Sequence, residues 1–139
     1  MPRPPRNFEL GCIYHLTMHG VDDNPIFRTD DDRQDFVLRL GRVVRKYGWG
    51  LYAYCLMDTH IHLLVEAGRI SEGMRVLNGG YSRAFNERHG RRGALFESRY
   101  RDTPMRDDEH LANAMRYIED NRVAAGLEDD WVWRSGNGV

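Results

Sequence analysis

Two apolar runs, WGLYAYCLM at 49–57 and HIHLLVEA at 60–67, are separated by only Asp58 and Thr59. Both runs are rich in aromatic and branched residues, and so short a connection joins two strands only as an antiparallel hairpin. The rest of the chain is arranged around that hairpin. Upstream, CIYHLTMH at 12–19 follows Gly11 and reads as a strand. TDDDRQDFVLRLGRVVRKYG then opens with capping residues, spaces Phe36, Leu40, Val43 and Val44 helically, and stops at Gly48. Downstream, a helix from Ser71 puts Met74, Leu77, Tyr81 and Phe85 on one face, with Gly79 and Gly80 as a weak point, and ends near His89 and Gly90. A strand around ALFESRYRDTPM follows. A third helix runs from about Asp108, N-capped by Asp107, to Ala125 with Gly126 as terminator. The tail WVWRSGNGV carries two tryptophans expected to fold back on the body.

The order strand, helix, strand, strand, helix, strand predicts an α+β fold of the ferredoxin-like, split βαβ plan. It comprises an antiparallel sheet with two helices on one face and a C-terminal tyrosine-bearing helix. Residues 1–139 are expected to form a single domain. That plan hosts many unrelated activities, so chemistry has to be read from residues.

Composition excludes several classes. With 41% hydrophobic and 29% charged residues the chain reads as soluble and globular. No apolar run approaches the roughly 20 residues that span a bilayer. The segment MPRPPRNFELG lacks the apolar stretch of a signal peptide, so no membrane association and a cytoplasmic location are expected. Cys12 and Cys55 sit in strand-like contexts and read as free, buried thiols. The net charge is −1, yet 19 of the 20 basic residues are arginine. Arg83, Arg88, Arg91, Arg92, Arg99 and Arg101 face only Glu87 and Glu97 between residues 81 and 101. Arginine forks match phosphate oxygens, so this cluster suits a nucleic-acid backbone, and it equally suits a solvated helix end and loop.

On a strand, His60, His62, Leu64 and Glu66 share one face while Ile61, Leu63 and Val65 take the other. Two imidazoles pointing the same way suit a divalent metal, or a hydrogen-bonded pair on a half-exposed sheet face. In the third helix, Leu111, Ala114, Met115 and Ile118 form a core stripe, and His110, Asn113, Tyr117 and Asn121 a polar stripe beside it. A surface tyrosine would explain that stripe by itself. If the helix lies on the sheet face left open by the other two, Tyr117 can instead supply a nucleophile, and Asn121 a metal ligand or phosphate contact. A phenol, with its pKa near 10, is a weak nucleophile until its proton is removed or its target is polarised. A metal can polarise a phosphodiester in that way.

The series GCIYHLTMHG, NPIFRTDDDRQDF, AYCLMDTHIHLLVE, YSRAFNERHGRRGALFESRYRDTPM, RYIEDNRVAAGL and VWRSG covers nearly the whole chain. Through it the sequence resembles the single-tyrosine HUH transposases, most closely their REP-associated tyrosine transposase branch. The resemblance implies that His60 and His62 are the HUH metal ligands, Asn121 an additional ligand, Tyr117 the nucleophile, and the metal Mg or Mn. It implies cleavage of single-stranded DNA beside a hairpin, giving a 5′-phosphotyrosine link and a free 3′-OH. The covalent link stores the energy for rejoining, and no Walker-type phosphate loop appears. The six arginines become candidates for contacts to the hairpin backbone. One chain holds every group, which favours a monomer over a helix-exchanging homodimer. Thr59, Arg122 and Ala124 depart from the asparagine, proline and arginine expected there.

Other readings fit less of the chain. A histidine-triad hydrolase would need a third histidine at Leu64, and the H-x-T at 15–17 has no partner for a two-histidine phosphoesterase. A ferredoxin-like RNA-binding domain could use Tyr52 and Tyr54 for stacking, but histidines occupy the most strongly patterned strand. The remaining alternative is a DNA-hairpin-binding module, domesticated from a transposase, that does not cut. Tyr81 is a rival nucleophile whose alignment with Met74, Leu77 and Phe85 predicts a core position.

Overall fold

A computed structural model describes residues 11–66, 69–97, 99–125 and 132–134, with side chains described up to residue 120. The central hairpin is present as β2 (Gly50–Leu56) and β3 (His60–Glu66), its turn closed by Met57 N–H donating to His60 O at 2.9 Å. β1 (Ile13–His19) pairs with the other edge of β3, and β4 (Arg101–Met105) pairs with β1. A short strand from the tail, β5 (Val132–Arg134), pairs with β2. The described sheet is antiparallel throughout, in the order β4-β1-β3-β2-β5. The four strands β4-β1-β3-β2 have the ferredoxin-like order expected from the sequence. β5 is an addition to that expectation: it extends the open edge of β2, with Trp133 opposite Tyr54. Trp131 and Gly126 lie outside the described residues.

Helices α1 (Asp30–Tyr47) and α2 (Ile70–His89) cover one face. Leu16, Met18, Ile61, Leu63 and Val65 of the sheet pack there against Phe36, Leu40, Leu77, Tyr81 and Phe85. α1 starts in a reciprocal capping box, in which Thr29 Oγ1 accepts from Asp32 N–H while the Asp32 carboxylate accepts from Thr29 N–H. It ends at Gly48 in the left-handed region (φ 67°), as α2 does at Gly90 (φ 60°). Gly79 and Gly80 do not interrupt α2, whose apolar face is anchored on both sides of them by Leu77 and Tyr81.

Gly73 is a tighter constraint. A Cβ there would lie 2.5 Å from Trp49 Cζ2 and 2.9 Å from Val43 Cγ1. Gly73→Ala is therefore expected to destabilise the protein by about 1–3 kcal/mol through overpacking, despite the better helix propensity of alanine. A urea midpoint equal to wild type would refute this close approach of α2 to Trp49.

α3 (Asp108–Ala125) lies on the other sheet face. Asp107 caps it, accepting from His110 N–H at 2.8 Å. Ala114 and Ile118, flanked by Leu111 and Met115, cover Ala53, Cys55, Leu64 and Met105. This is the apolar stripe expected from the sequence. Cys12 and Cys55 are free thiols, Cys55 buried and Cys12 half-buried. β4 is shorter than the run 94–105 suggested. Leu95 O and Glu97 N–H bond instead to Val21 and His19, and Phe96 forms only an isolated bridge to Gly20. Pro104 is tolerated in β4 because that strand is an edge. No helix among the described residues is long and apolar enough to cross a membrane.

Candidate active site

Antiparallel register builds the site. β1 and β3 pair His19 with His60 and Thr17 with His62, and residues opposite one another share a sheet face. Alternation adds His15, so four of the six histidines stand on the face covered by α3. His60 and His62 are perpendicular with ring centroids 4.9 Å apart. His19 stacks on His60 at 5.2 Å. His15 Nε2 and His62 Nδ1 share a hydrogen bond of 3.0 Å, and Thr59 Oγ1 and His60 Nδ1 one of 3.2 Å.

α3 brings Tyr117 to this cluster. Its ring stands edge-on to His62 at 5.5 Å and to His15 at 6.3 Å. Tyr117 is 55% exposed whereas His62 is 2% exposed, so an open phenol borders a buried imidazole. The rest of the polar stripe divides. His110 Nδ1 accepts from Arg106 N–H at the start of α3, and Asn113 accepts from Arg116. Asn121 lies one turn beyond Tyr117 in α3, and its side chain is outside the described residues. Tyr81 is fully buried, its hydroxyl donating to Ile26 O at 2.5 Å. Burial first, and then the Asp32 carboxylate, push its phenol above the usual range.

His15, His60 and His62 are biased toward the neutral form. Burial, then the other three rings of the cluster, lower His62 to about 3. Burial and His110 lower His15, and burial and His19 lower His60 against an opposing pull from Asp23. Neutral imidazole is the form that binds a metal. His62 Nε2 is buried with no hydrogen-bond partner in the described structure, a lone pair or proton that the protein leaves unanswered. These two observations fit a divalent ion with two imidazole ligands. No group of three or more His, Cys, Asp or Glu side chains among the described residues is arranged to hold one alone, so further ligands would come from elsewhere.

A pH dependence follows for the metal-free protein. In the unfolded chain these histidines take up protons below about 6.5, whereas in the folded chain they stay neutral to lower pH. The unfolded state then binds more protons, so stability is expected to fall as pH drops through 6.5 toward about 3. Urea midpoints in the presence of a chelator should decline between about pH 7 and pH 5. A flat profile would mean that the cluster is not neutral in the folded state.

The six arginines differ in their surroundings. Arg88 bonds Asp32 at 2.8 Å and Asp35 at 3.1 Å. Arg91 donates to Asn86 Oδ1 and to the Gly93 and Ala94 carbonyls. Arg83 and Arg91 line a hollow at the C-terminal end of α2, and Arg99 lines a cleft of about 580 Å³ formed by α2 with residues 93–97 and 99–100. Arg92 is exposed. Of the six, Arg101 is the one placed in the site's cross-strand row, opposite Thr17, which is itself opposite His62. His15 and His19 are what the sequence reading leaves without a role. Their even spacing in CIYHLTMH was a usable signal, but joining them to His60 and His62 requires the β1–β3 register.

Residues 9–121 match the family model described as transposase, IS200-like. A Haemophilus influenzae protein, provisionally named a REP-associated tyrosine transposase, is 25% identical over 146 residues, which cover 94% of this chain and 82% of that protein. Among solved structures, a REP-associated tyrosine transposase bound to a REP hairpin superposes with a TM-score of 0.72 at 16% identity, over 93% of this chain and 77% of that one. A provisionally named transposase from Deinococcus radiodurans gives a TM-score of 0.55 at 20% identity, over 86% of this chain and 97% of its own. At such identities the two structures speak for the fold.

Proposed function

This chain belongs to the IS200-like transposase family, and from that premise we propose that it cuts and rejoins single-stranded DNA beside hairpin, REP-like sequences through a 5′-phosphotyrosine formed on Tyr117. The observation that carries the reading is the placement of a solvent-open Tyr117 edge-on to the buried, neutral His62. The REP hairpin bound by the structural relative supports hairpin DNA as the partner.

In this reading Tyr117 Oη attacks the phosphorus of the scissile phosphodiester in line with the departing 3′-oxygen. The P–O3′ bond breaks as the P–Oη bond forms. The phenol proton passes to water at its exposed edge, and the departing oxygen takes up a proton to become the 3′-OH. Rejoining reverses the exchange, with a 3′-OH attacking the phosphotyrosine. His60 and His62 would hold a divalent Mg or Mn ion, with Asn121 as an additional ligand. When bound, that ion polarises the non-bridging phosphate oxygens and offsets charge growing in the transition state. α3 keeps the nucleophile over the sheet through Ala114 and Ile118, so positioning does not depend on a second chain. On this ground we favour a monomer, and a stable dimer in light scattering would overturn that choice. Arg101 lies nearest the site by register and is assigned to the DNA backbone with Arg83, Arg92 and Arg99. Arg88 and Arg91, already engaged within the protein, contribute positive field rather than free forks.

The test is incubation with Mg or Mn and labelled single-stranded hairpin DNA, read on a denaturing gel. A metal-dependent covalent adduct is expected. Tight hairpin binding with no adduct would replace this reading with that of a non-cleaving binding module.

A further inference from the structure

Both imidazoles assigned to the metal have a polar neighbour on the same ring nitrogen. His62 Nδ1 is 3.0 Å from His15 Nε2, and His60 Nδ1 is 3.2 Å from Thr59 Oγ1. The opposite nitrogen of His62, Nε2, is buried without a partner in the described structure. A neutral imidazole carries one proton, so the nitrogen that donates leaves the other as a lone pair. The Nε2–H tautomer of His62 would bury an N–H aimed at no acceptor, a costlier omission than an unfilled lone pair.

We propose that His15 and Thr59 are positioning residues that accept the Nδ1–H of His62 and His60 respectively, fixing both rings in the tautomer whose Nε2 lone pairs can face one divalent cation. The inference rests on the reading of His60 and His62 as metal ligands. His15 accepts through Nε2 only if its own proton is on Nδ1. Its ring also lies edge-on to Tyr117 at 6.3 Å, so one side chain of β1 touches both a ligand and the nucleophile's ring. Thr59 is the turn residue immediately before β3 and orients the first ligand from outside the strand. Its hydroxyl oxygen retains acceptor capacity wherever its own proton points.

The measurement is Mn binding to the metal-free protein by the loss of the free-ion electron paramagnetic resonance signal, with no DNA present. His15→Phe keeps a ring without an acceptor and is expected to weaken Mn binding about 10- to 100-fold, the usual effect of losing such a partner. His15→Gln restores an acceptor and is expected to recover most of the affinity. Thr59→Val and Thr59→Asn should divide in the same way. If His60→Ala and His62→Ala bind Mn as wild type does, the ligand reading itself fails. If those two lose binding while His15→Phe and Thr59→Val keep it, the ligands stand and the positioning inference fails. Should His15→Phe not fold, long-range proton–nitrogen correlation spectra of the wild-type histidines decide: Nδ1–H on His62 and His60 supports the proposal, and Nε2–H on His62 overturns it.

Discussion

Tyr117→Phe is expected to lose covalent adduct formation by more than about 1,000-fold, because it removes the hydroxyl proposed to form the phosphotyrosine bond. Stability should change by no more than about 0.5 kcal/mol, since the side chain is 55% exposed. Hairpin affinity should survive as well. Tyr81→Phe is the opposed case. It removes a buried hydroxyl that donates to Ile26 O at 2.5 Å, leaving that carbonyl unanswered. A loss of about 1–3 kcal/mol in stability is expected, with the adduct retained. Adduct retained in Tyr117→Phe and lost in Tyr81→Phe would exchange the two roles and break the proposed mechanism.

Asp32→Ala should be the most destabilising single change away from the site. Its carboxylate is fully buried where the start of α1 meets the end of α2. It accepts from the N–H groups of Arg28 and Thr29, from Arg88 Nε at 2.8 Å, and from His89 Nε2 at 2.9 Å. Burial alone would raise its pKa. The Arg28 N–H and the Arg88 and His89 side chains together outweigh burial and hold it below the usual carboxylate value. Removing it leaves His89 without its carboxylate and Arg88 with Asp35 alone, and opens the capping box, for an expected cost of about 3–5 kcal/mol. A lowered carboxylate pKa contributes stability above the unfolded value that is lost as pH falls through the folded one, so this contribution fades below about pH 4. The exposed Arg69–Glu72 pair at 2.5 Å gives the contrast: Glu72→Gln should leave the urea midpoint almost unchanged. Urea midpoints of the two variants would test the ranking, and near-equal losses would show that Asp32 is not the clamp between the helices.

These expectations differ in where they could be read. The hairpin, the two-helix face and the apolar stripe of α3 were legible because each depends on local periodicity, which burial enforces at every second or every third to fourth residue. The same alternation placed His60 and His62 together on one face. The helical period separated Tyr117 from Ala114 and Ile118, and aligned Tyr81 with the core residues Leu77 and Phe85. β5 was less legible: three tail residues pair with β2 because its edge is open, and a strand that short carries too few side chains to show a period.

The residues around the two histidines depended on a longer range still. His15 is 47 positions from His62 in sequence, and the two meet only through the β1–β3 register. Arg88 and Asp32, 56 positions apart, meet where two helices cross, so an arginine legible as a phosphate contact is also an internal clamp. The sequence by itself therefore determined which residues share an element face and, through its motifs, the family. Tertiary structure alone decided which faces meet, because strand register and helix contact are set by packing between distant segments and leave no period in either one.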